Sequence, residues 1–180
     1  MLYRIPGLRS IRAIEDRTSE RARPSARVMC KAVPSRPLVR QRFPLAVGID
    51  VVTVAEVASA LERYGDRYVR NAFTTQEAAY CRQAAGAAAA ARFAVRFAAK
   101  EATVKTLHPR QRWIDWTAIE VKRARSGRCA IVLRRDAAAL ADRRGFDQFE
   151  LSMSHDGDHA VAIVVALRRP RRKNQTGSDD

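Results

Sequence analysis

The sequence predicts an α+β fold, in which a small antiparallel sheet packs against one long helix and several shorter helices. Short apolar runs rich in β-branched residues occur near both ends of the segment 45–167. A long alanine-rich stretch at 87–107 lies between them, with neither Gly nor Pro inside it. The later strands occur in pairs separated by short turns, which favours antiparallel pairing.

The first element of this domain is a buried strand at 45–52, interrupted by one acid, Asp50. Thr53 follows as an N-cap with Glu56 three residues later, the spacing of a capping box. This pattern predicts a helix that ends at about Tyr64. A second capping box, Thr74 to Glu77, opens a shorter helix that continues to about residue 83.

The long helix at 87–107 should end at His108, because a residue before proline avoids the α region. Alternation and turn residues then predict the remaining elements. These are a hairpin of strands 117–125 and 128–133, a helix at 136–144, and a last strand pair at 148–154 and 160–167.

The segments outside the domain are basic. The formal net charge is +15, and most of the excess lies in 1–44 and 168–180. Residues 1–44 combine many Arg with five Pro and show no apolar period, so a mostly disordered extension is expected. It faintly resembles a transit peptide, and translation starting near Met29 would equally explain it. The tail 168–180 is expected to be flexible.

Composition also limits the class of protein. The longest strongly apolar run, 160–167, is far shorter than the ~20 residues of a membrane span, so no membrane association is expected. Cys30, Cys81 and Cys129 are odd in number and lack metal-ligand spacing, which favours a reducing cytoplasm. A basic surface attracts acidic partners, either nucleic acid or an acidic protein.

Three clusters could carry chemistry. Asp50 lies in a buried strand, where a carboxylate is costly unless paired or metal-bound, although an acid near a helix start explains it as well. Glu101 and Lys105 share a face of the long helix, as a functional pair or as an ordinary surface ion pair. His155 ends a late strand, where a structural role is common, but it could also bind phosphate.

Together these residue types suit a magnesium-bound pyrophosphate. Mg²⁺ takes one or two protein carboxylates and completes its shell with phosphate oxygens and water. Phosphoryl transfer depends mainly on positioning and charge neutralisation, which carboxylates, Lys and His provide. The sequence has no glycine-rich phosphate loop after its first strand, so side chains and metal would have to hold the phosphates.

Three motifs resemble those of a known family, the holo-acyl-carrier-protein synthases, which form the small single-domain group of the 4′-phosphopantetheinyl transferases. They are Gly48-Ile49-Asp50, the run from Arg96 to Ala102 with Lys105, and Ser152-Met153-Ser154-His155. The resemblance covers about 45–167 with the motifs in family order. It implies the α+β fold, a homotrimer with active sites between subunits, and transfer of 4′-phosphopantetheine from coenzyme A to a serine of an acidic acyl carrier protein, releasing 3′,5′-ADP. Carriers of fatty-acid and polyketide synthesis both remain open.

The resemblance also implies roles for residues. Asp50 and Glu101 would bind Mg²⁺, Lys105 would neutralise the bridging phosphates, and Glu101 would activate the serine directly or through water. The coenzyme A contacts would come from Arg96, Lys100, Lys105, Ser154 and His155. The chain departs from the family where a basic residue early in the first helix usually docks the carrier, because Glu56 stands there. The replacement candidates for carrier docking are Arg63, Arg67 and Arg70.

Two other functions stay open from sequence alone. One is a basic module that binds nucleic acid, although the segment 45–167 is only mildly basic and lacks interleaved aromatic residues. The other is an inactive relative that only binds a carrier. The acids, lysine and histidine at the motif positions favour the active enzyme, for which no nucleic-acid partner is expected.

Overall fold

A computed structural model of the chain describes residues 44–108 and 114–168. In this part, a strand and three helices precede a hairpin, and a fourth helix and a second hairpin follow. The elements are β1 Leu45–Thr53, α1 Val54–Ala72, α2 Thr75–Cys81, α3 Gly86–Leu107, β2 Ile119–Arg123, β3 Cys129–Leu133, α4 Arg135–Arg144, β4 Phe146–Asp156 and β5 His159–Arg168. A short 3₁₀ turn, Trp116–Ala118, leads into β2. The predicted α+β class is confirmed.

The strands form two antiparallel sheets. The larger sheet has the order β1-β5-β4, with β5 in the centre, and the smaller sheet is the hairpin β2-β3. In the larger sheet Asp50 lies opposite Ala162, and Ala162 lies opposite Met153. This register aligns the acid of the first strand with the middle of the last hairpin.

One face of the larger sheet packs against α3, and small residues allow the contact. The β5 residues on this face are Ala160, Ala162, Val164 and Ala166, all at most 1% exposed. The opposite face of the sheet is open and apolar. Its exposed members are Leu45, Val47, Ile49, Val51 and Ile163, which we call the outer apolar face.

The first helix differs from the sequence prediction. It was expected to end near Tyr64, but α1 continues to Ala72 beyond a break at Gly65, where φ is 49°. Glycine adopts this left-handed conformation without the steric cost of a Cβ atom. The helix resumes because its second part buries Tyr68 and Val69, contacts that the local pattern does not reveal.

The other element boundaries agree closely with expectation. Both threonine N-caps are present, and Thr74 forms a complete capping box with Glu77. His108 ends α3 in the left-handed conformation. The predicted extension 1–44 and the tail 168–180 lie outside the described residues, except for Pro44 and Arg168, which are joined by a backbone hydrogen bond. Within the described part, no helix has the length and apolarity to cross a bilayer.

Candidate active site

Gly48 lets helix α3 approach strand β1 closely. A Cβ atom at this position would overlap the backbone oxygen of Ala102 and would lie 2.5 Å from the Thr106 hydroxyl oxygen. The Thr106 hydroxyl in turn donates to the backbone oxygens of Ala102 and Val164. The glycine therefore brings the middle of α3 to the backbone of β1, beside Asp50.

Asp50 and Lys105 form an ion pair across this contact. Lys105 Nζ lies 2.7 Å from Asp50 Oδ1 and 2.9 Å from the backbone oxygen of Ile49. Burial raises the pKa of Asp50 above its usual range, and the hydrogen bond from Lys105 opposes that shift. The lysine therefore stabilises the ionised form of a half-buried carboxylate.

Glu101 lies one turn before Lys105 on the same helix face. Burial and, to a smaller extent, the negative charge of Asp50 raise its pKa to about 7, against the opposing effect of Lys105. The two carboxylates predicted to act together are thus close enough to repel each other. A proton acceptor that titrates near neutral pH is one consequence of this arrangement.

The donor set fits a magnesium ion. Both carboxylates are half-buried, and ionising one makes it harder to ionise the other. A divalent cation bound between them would offset this repulsion, and Mg²⁺ needs only one or two protein carboxylates. Among residues 44–108 and 114–168, no three side chains of His, Cys, Asp or Glu cluster as metal ligands. An ion here would have to complete its shell from substrate and water.

Arg96, Ser154 and His155 meet in a separate cleft of about 470 Å³, together with the tip of the β2-β3 hairpin. The Arg96 side chain is buried, and its Nε atom has no acceptor in the described part of the chain. Ser154 and His155 are successive residues of β4, so their side chains lie on opposite faces of the strand. The cleft presents a cation and a histidine to an incoming ligand.

Sequence analysis missed the rest of the cationic wall of this cleft. The guanidinium groups of Arg92, Arg96 and Arg123 lie 4.8, 4.2 and 5.5 Å from the ring centre of Tyr80. Arg92 is one turn before Arg96, so helical spacing could have placed both in one cleft. Arg123 is on a different element, and only the fold brings it there.

Lys100 does not reach this cleft, contrary to the prediction. Its side chain is fully buried, and its ammonium lies 2.8 Å from Glu77 Oε2. It also donates to the backbone oxygens of Trp116 and Ile119. Burial lowers the pKa of Lys100, and the facing Glu77 carboxylate opposes the shift. All three ammonium donors are used inside the protein, so none remains for coenzyme A.

Arg63, Arg67 and Arg70 are exposed on α1, but the break at Gly65 separates the first from the other two. Arg70 lines a second cleft of about 730 Å³ beside the start of α2. Arg82, Arg134 and Arg135 line the same cleft, so the basic surface continues beyond the predicted residues.

Comparison with known proteins identifies the family of the chain. Residues 46–164 match the model of the 4′-phosphopantetheinyl transferase superfamily. The holo-[acyl-carrier-protein] synthase of Koribacter versatilis is 39% identical over 122 residues, which are 67% of this chain and 96% of that protein. The enzyme of the same name from Desulforudis audaxviator is 40% identical over 123 residues, covering 68% and 92%.

A solved structure agrees as well. The ACPS–CoA complex of Chronobacterium ammoniagenes superposes with a TM-score of 0.62 at 28% identity, covering 70% of this chain and 98% of that one. The family resemblance seen in the motifs is therefore confirmed by both sequence and fold. The chain belongs to the 4′-phosphopantetheinyl transferase superfamily and, within it, to the holo-[acyl-carrier-protein] synthases, which are enzymes.

Proposed function

We propose that the protein transfers 4′-phosphopantetheine from coenzyme A to a serine of an apo-acyl carrier protein, releases 3′,5′-ADP and depends on Mg²⁺. The observation that carries this proposal is the meeting of Asp50, Glu101 and Lys105 at the contact of β1 with α3. Family membership supplies the reaction class.

Asp50 and Glu101 would hold the magnesium ion through their carboxylates. When bound, the ion supplies positive charge that offsets the charge of the pyrophosphate and of the departing nucleotide. Lys105 is placed beside them as a second source of positive charge, because its ammonium already contacts Asp50. Such neutralisation is the main requirement of phosphoryl transfer.

Glu101 is the candidate proton acceptor. Because its pKa is raised to about 7, it can both hold and release a proton near neutral pH. In the proposed step the carrier serine oxygen bonds to the phosphorus that bears pantetheine, and its proton passes to Glu101. The bond between that phosphorus and the oxygen bridging to 3′,5′-ADP breaks, and the nucleotide leaves with the electron pair.

The nucleotide end of coenzyme A would bind in the cleft that contains Arg96, Ser154 and His155. The cleft holds several guanidinium groups, and the Arg96 Nε lacks an acceptor among described residues, which suits phosphate oxygens. The Chronobacterium ammoniagenes relative was solved with CoA, which supports the same ligand here.

The carrier would dock on the basic side of α1. Arg63, Arg67 and Arg70 are exposed there, and an acidic carrier is attracted to such a surface. Neither a nucleic-acid partner nor a membrane is required by this function, and a cytoplasmic location is consistent with it.

The outer apolar face supports a homotrimer. Val47, Ile49 and Val51 are each more than half exposed on one strand. Contiguous apolar surface of this kind marks an interaction site. The proposed occupant is the same face of further copies of this chain. The family resemblance implies in addition that the active sites lie between subunits.

The proposed function can be tested with purified protein, coenzyme A, Mg²⁺ and an apo-carrier. The carrier mass should rise by one phosphopantetheine group, and 3′,5′-ADP should be released in equal amount. A carrier variant that lacks the acceptor serine is the control. An unchanged mass with carriers of both fatty-acid and polyketide synthesis would contradict the proposal and would favour a carrier-binding protein without activity.

The nucleic-acid alternative has its own test. Binding of a labelled oligonucleotide should be compared between the full chain and a chain without residues 1–44. Loss of binding with retention of transfer would make the basic extension an accessory feature. Tight binding that persists without the extension, in a protein that transfers nothing, would favour the alternative.

A further inference from the structure

The buried ion pair of Glu77 and Lys100 joins three parts of the fold. Both side chains are 0% exposed, and Lys100 Nζ lies 2.8 Å from Glu77 Oε2. Burying two charges is costly unless further hydrogen bonds satisfy the remaining donors and acceptors. The pair meets this condition, because Thr74 N also donates to Glu77 Oε2 and two backbone oxygens accept from Lys100.

The pair also closes the open edge of β2. Ile119 and Val121 are two residues apart, so their backbone groups point to the same side of the strand, away from β3. On that side, Lys100 donates to the Ile119 oxygen over 2.5 Å, and the Val121 amide donates to Glu77 Oε1 over 2.9 Å. The ion pair therefore occupies the place that a third strand would take.

This edge determines where the hairpin lies relative to α3. In the described part of the chain, no strand pairing connects β2-β3 to the larger sheet. The hairpin supplies Arg123, Gly127 and Arg128 to one wall of the 470 Å³ cleft, and α3 supplies Arg96 to another. Lys100 lies one helical turn after Arg96, so the pair connects the two walls directly.

We propose that the Glu77–Lys100 pair is a positioning device, which holds the β2-β3 hairpin against α3 at the separation that coenzyme A binding needs. This inference rests on the proposed function, because it takes the cleft as the coenzyme A site. Neither side chain touches the ligand. Their effect is transmitted through Ile119 and Val121 to the hairpin.

The test uses Lys100→Met, Glu77→Gln and the double variant Glu77→Leu/Lys100→Met. Each single variant leaves a buried charge without its partner, so its melting temperature should fall below that of the parent. The double variant removes both charges and should regain part of that loss. It still leaves the Ile119 oxygen and the Val121 amide without hydrogen-bond partners. An effect on the position of the hairpin can therefore be told apart from an effect on stability.

In the double variant, hydrogen exchange in residues 119–123 should be at least about tenfold faster than in the parent, while exchange in β5 changes little. The KM for coenzyme A should rise by about tenfold, the effect of one lost hydrogen bond, while kcat stays within about twofold. Recovery of both stability and KM in the double variant would show that the pair contributes only stability, and the proposal would be wrong.

Two control variants match these substitutions, one by removing an ion pair and the other by lowering stability. Asp66→Asn removes an exposed ion pair with Arg82, and Phe146→Leu weakens a core cluster at the C-terminal end of α3. Neither should change the KM for coenzyme A, even where Phe146→Leu lowers the melting temperature. If the parent transfers no phosphopantetheine and binds no coenzyme A, the proposed function fails, whereas the exchange measurement still decides whether the pair holds the hairpin.

Discussion

At the scale of single residues, two carboxylates from different elements meet beside one lysine. Asp50 comes from β1 and Glu101 from α3, and Lys105 forms an ion pair with Asp50 and lowers the pKa of Glu101. Each group alone has an ordinary structural explanation. Their meeting gives a site that suits a divalent cation and a phosphorylated ligand.

Removing either carboxylate should abolish transfer while leaving the fold intact. Asp50→Asn and Glu101→Gln keep the side-chain volume and remove the charge that Mg²⁺ requires. Isothermal titration with MgCl₂ and coenzyme A should show at least about tenfold weaker magnesium binding, equivalent to about 1.4 kcal/mol. Circular dichroism is the check on folding, and unchanged magnesium binding in both variants would rule out the metal assignment.

The raised pKa of Glu101 predicts how stability depends on pH without metal. The unfolded chain releases this proton near the usual value of 4.5, whereas the folded protein keeps it until about pH 7. Between these values the folded state binds more protons, so the free energy of unfolding decreases as pH rises. The stabilising contribution of this proton is fully present below about pH 4.5 and is lost as pH rises through about 7.

Chemical denaturation in EDTA at roughly pH 5 and pH 8 measures this effect. The contribution of Glu101 should make the protein less stable at the higher pH by about 2 kcal/mol. Glu101→Gln cannot titrate and should lose that part of the pH dependence. An equal pH dependence in the two proteins would show that Glu101 ionises normally.

Residue types and spacing pointed to Asp50, Glu101 and Lys105, because a carboxylate in a buried strand and an i, i+4 pair are visible in the sequence, and the family resemblance supplied their predicted roles. Lys100 was misplaced for a physical reason. It follows Arg96 by one turn and precedes Glu101 directly, so local spacing cannot tell a cleft from the interior. Its partner Glu77 belongs to another helix, and only tertiary structure brings them together.

At the scale of elements, the contact of β1 with α3 depends on backbone approach. Alanine and glycine predominate where the two elements meet, so no large side chain separates them. The sequence predicted both elements and nearly all the others, because their caps and periods are local. It did not predict the second part of α1, whose stability comes from buried contacts with other elements.

Gly48→Ala should separate these two elements. The added methyl group would overlap the backbone oxygen of Ala102, which cannot move aside as a flexible side chain could. We expect a loss of about 1–3 kcal/mol in the free energy of unfolding. Transfer activity should fall at least about tenfold, measured at a temperature where the variant is fully folded.

A matched control is Gly157→Ala in the turn between β4 and β5. A Cβ atom there meets nothing within 4 Å, although the positive φ of 52° makes the substitution strained. This variant should lose stability while keeping transfer activity when folded. Equal activity of the two variants would show that the close approach at Gly48 does not set the site geometry.

At the scale of the whole molecule, the two faces of the larger sheet differ in what covers them. One face packs on α3 and forms the core, and the outer apolar face is exposed, where we propose that other copies of the chain pack. The sequence showed an apolar first strand but not that half of its side chains face away from the core. Strand alternation predicts two faces, yet it does not tell which neighbour covers each of them.

Placing a charge on the outer apolar face should dissociate the proposed trimer. Val47 is 53% exposed, so Val47→Lys should be tolerated by the monomer fold and rejected at a subunit interface. Analytical ultracentrifugation should give three times the 20.1 kDa chain mass for the parent and one chain mass for the variant. Ala130→Lys, an exposed change on the hairpin, is the control, and a parent that sediments as a monomer would contradict the assembly.

The glycine at position 48 also bears on how this protein can vary between species. Where main chain touches main chain, the separation of two elements does not depend on which aliphatic side chains fill the surrounding core. Substitutions elsewhere in that core can therefore accumulate without moving the carboxylate of the first strand away from the long helix. The same contact makes position 48 intolerant of any larger residue, so relatives that keep the activity should keep glycine there while their interiors diverge.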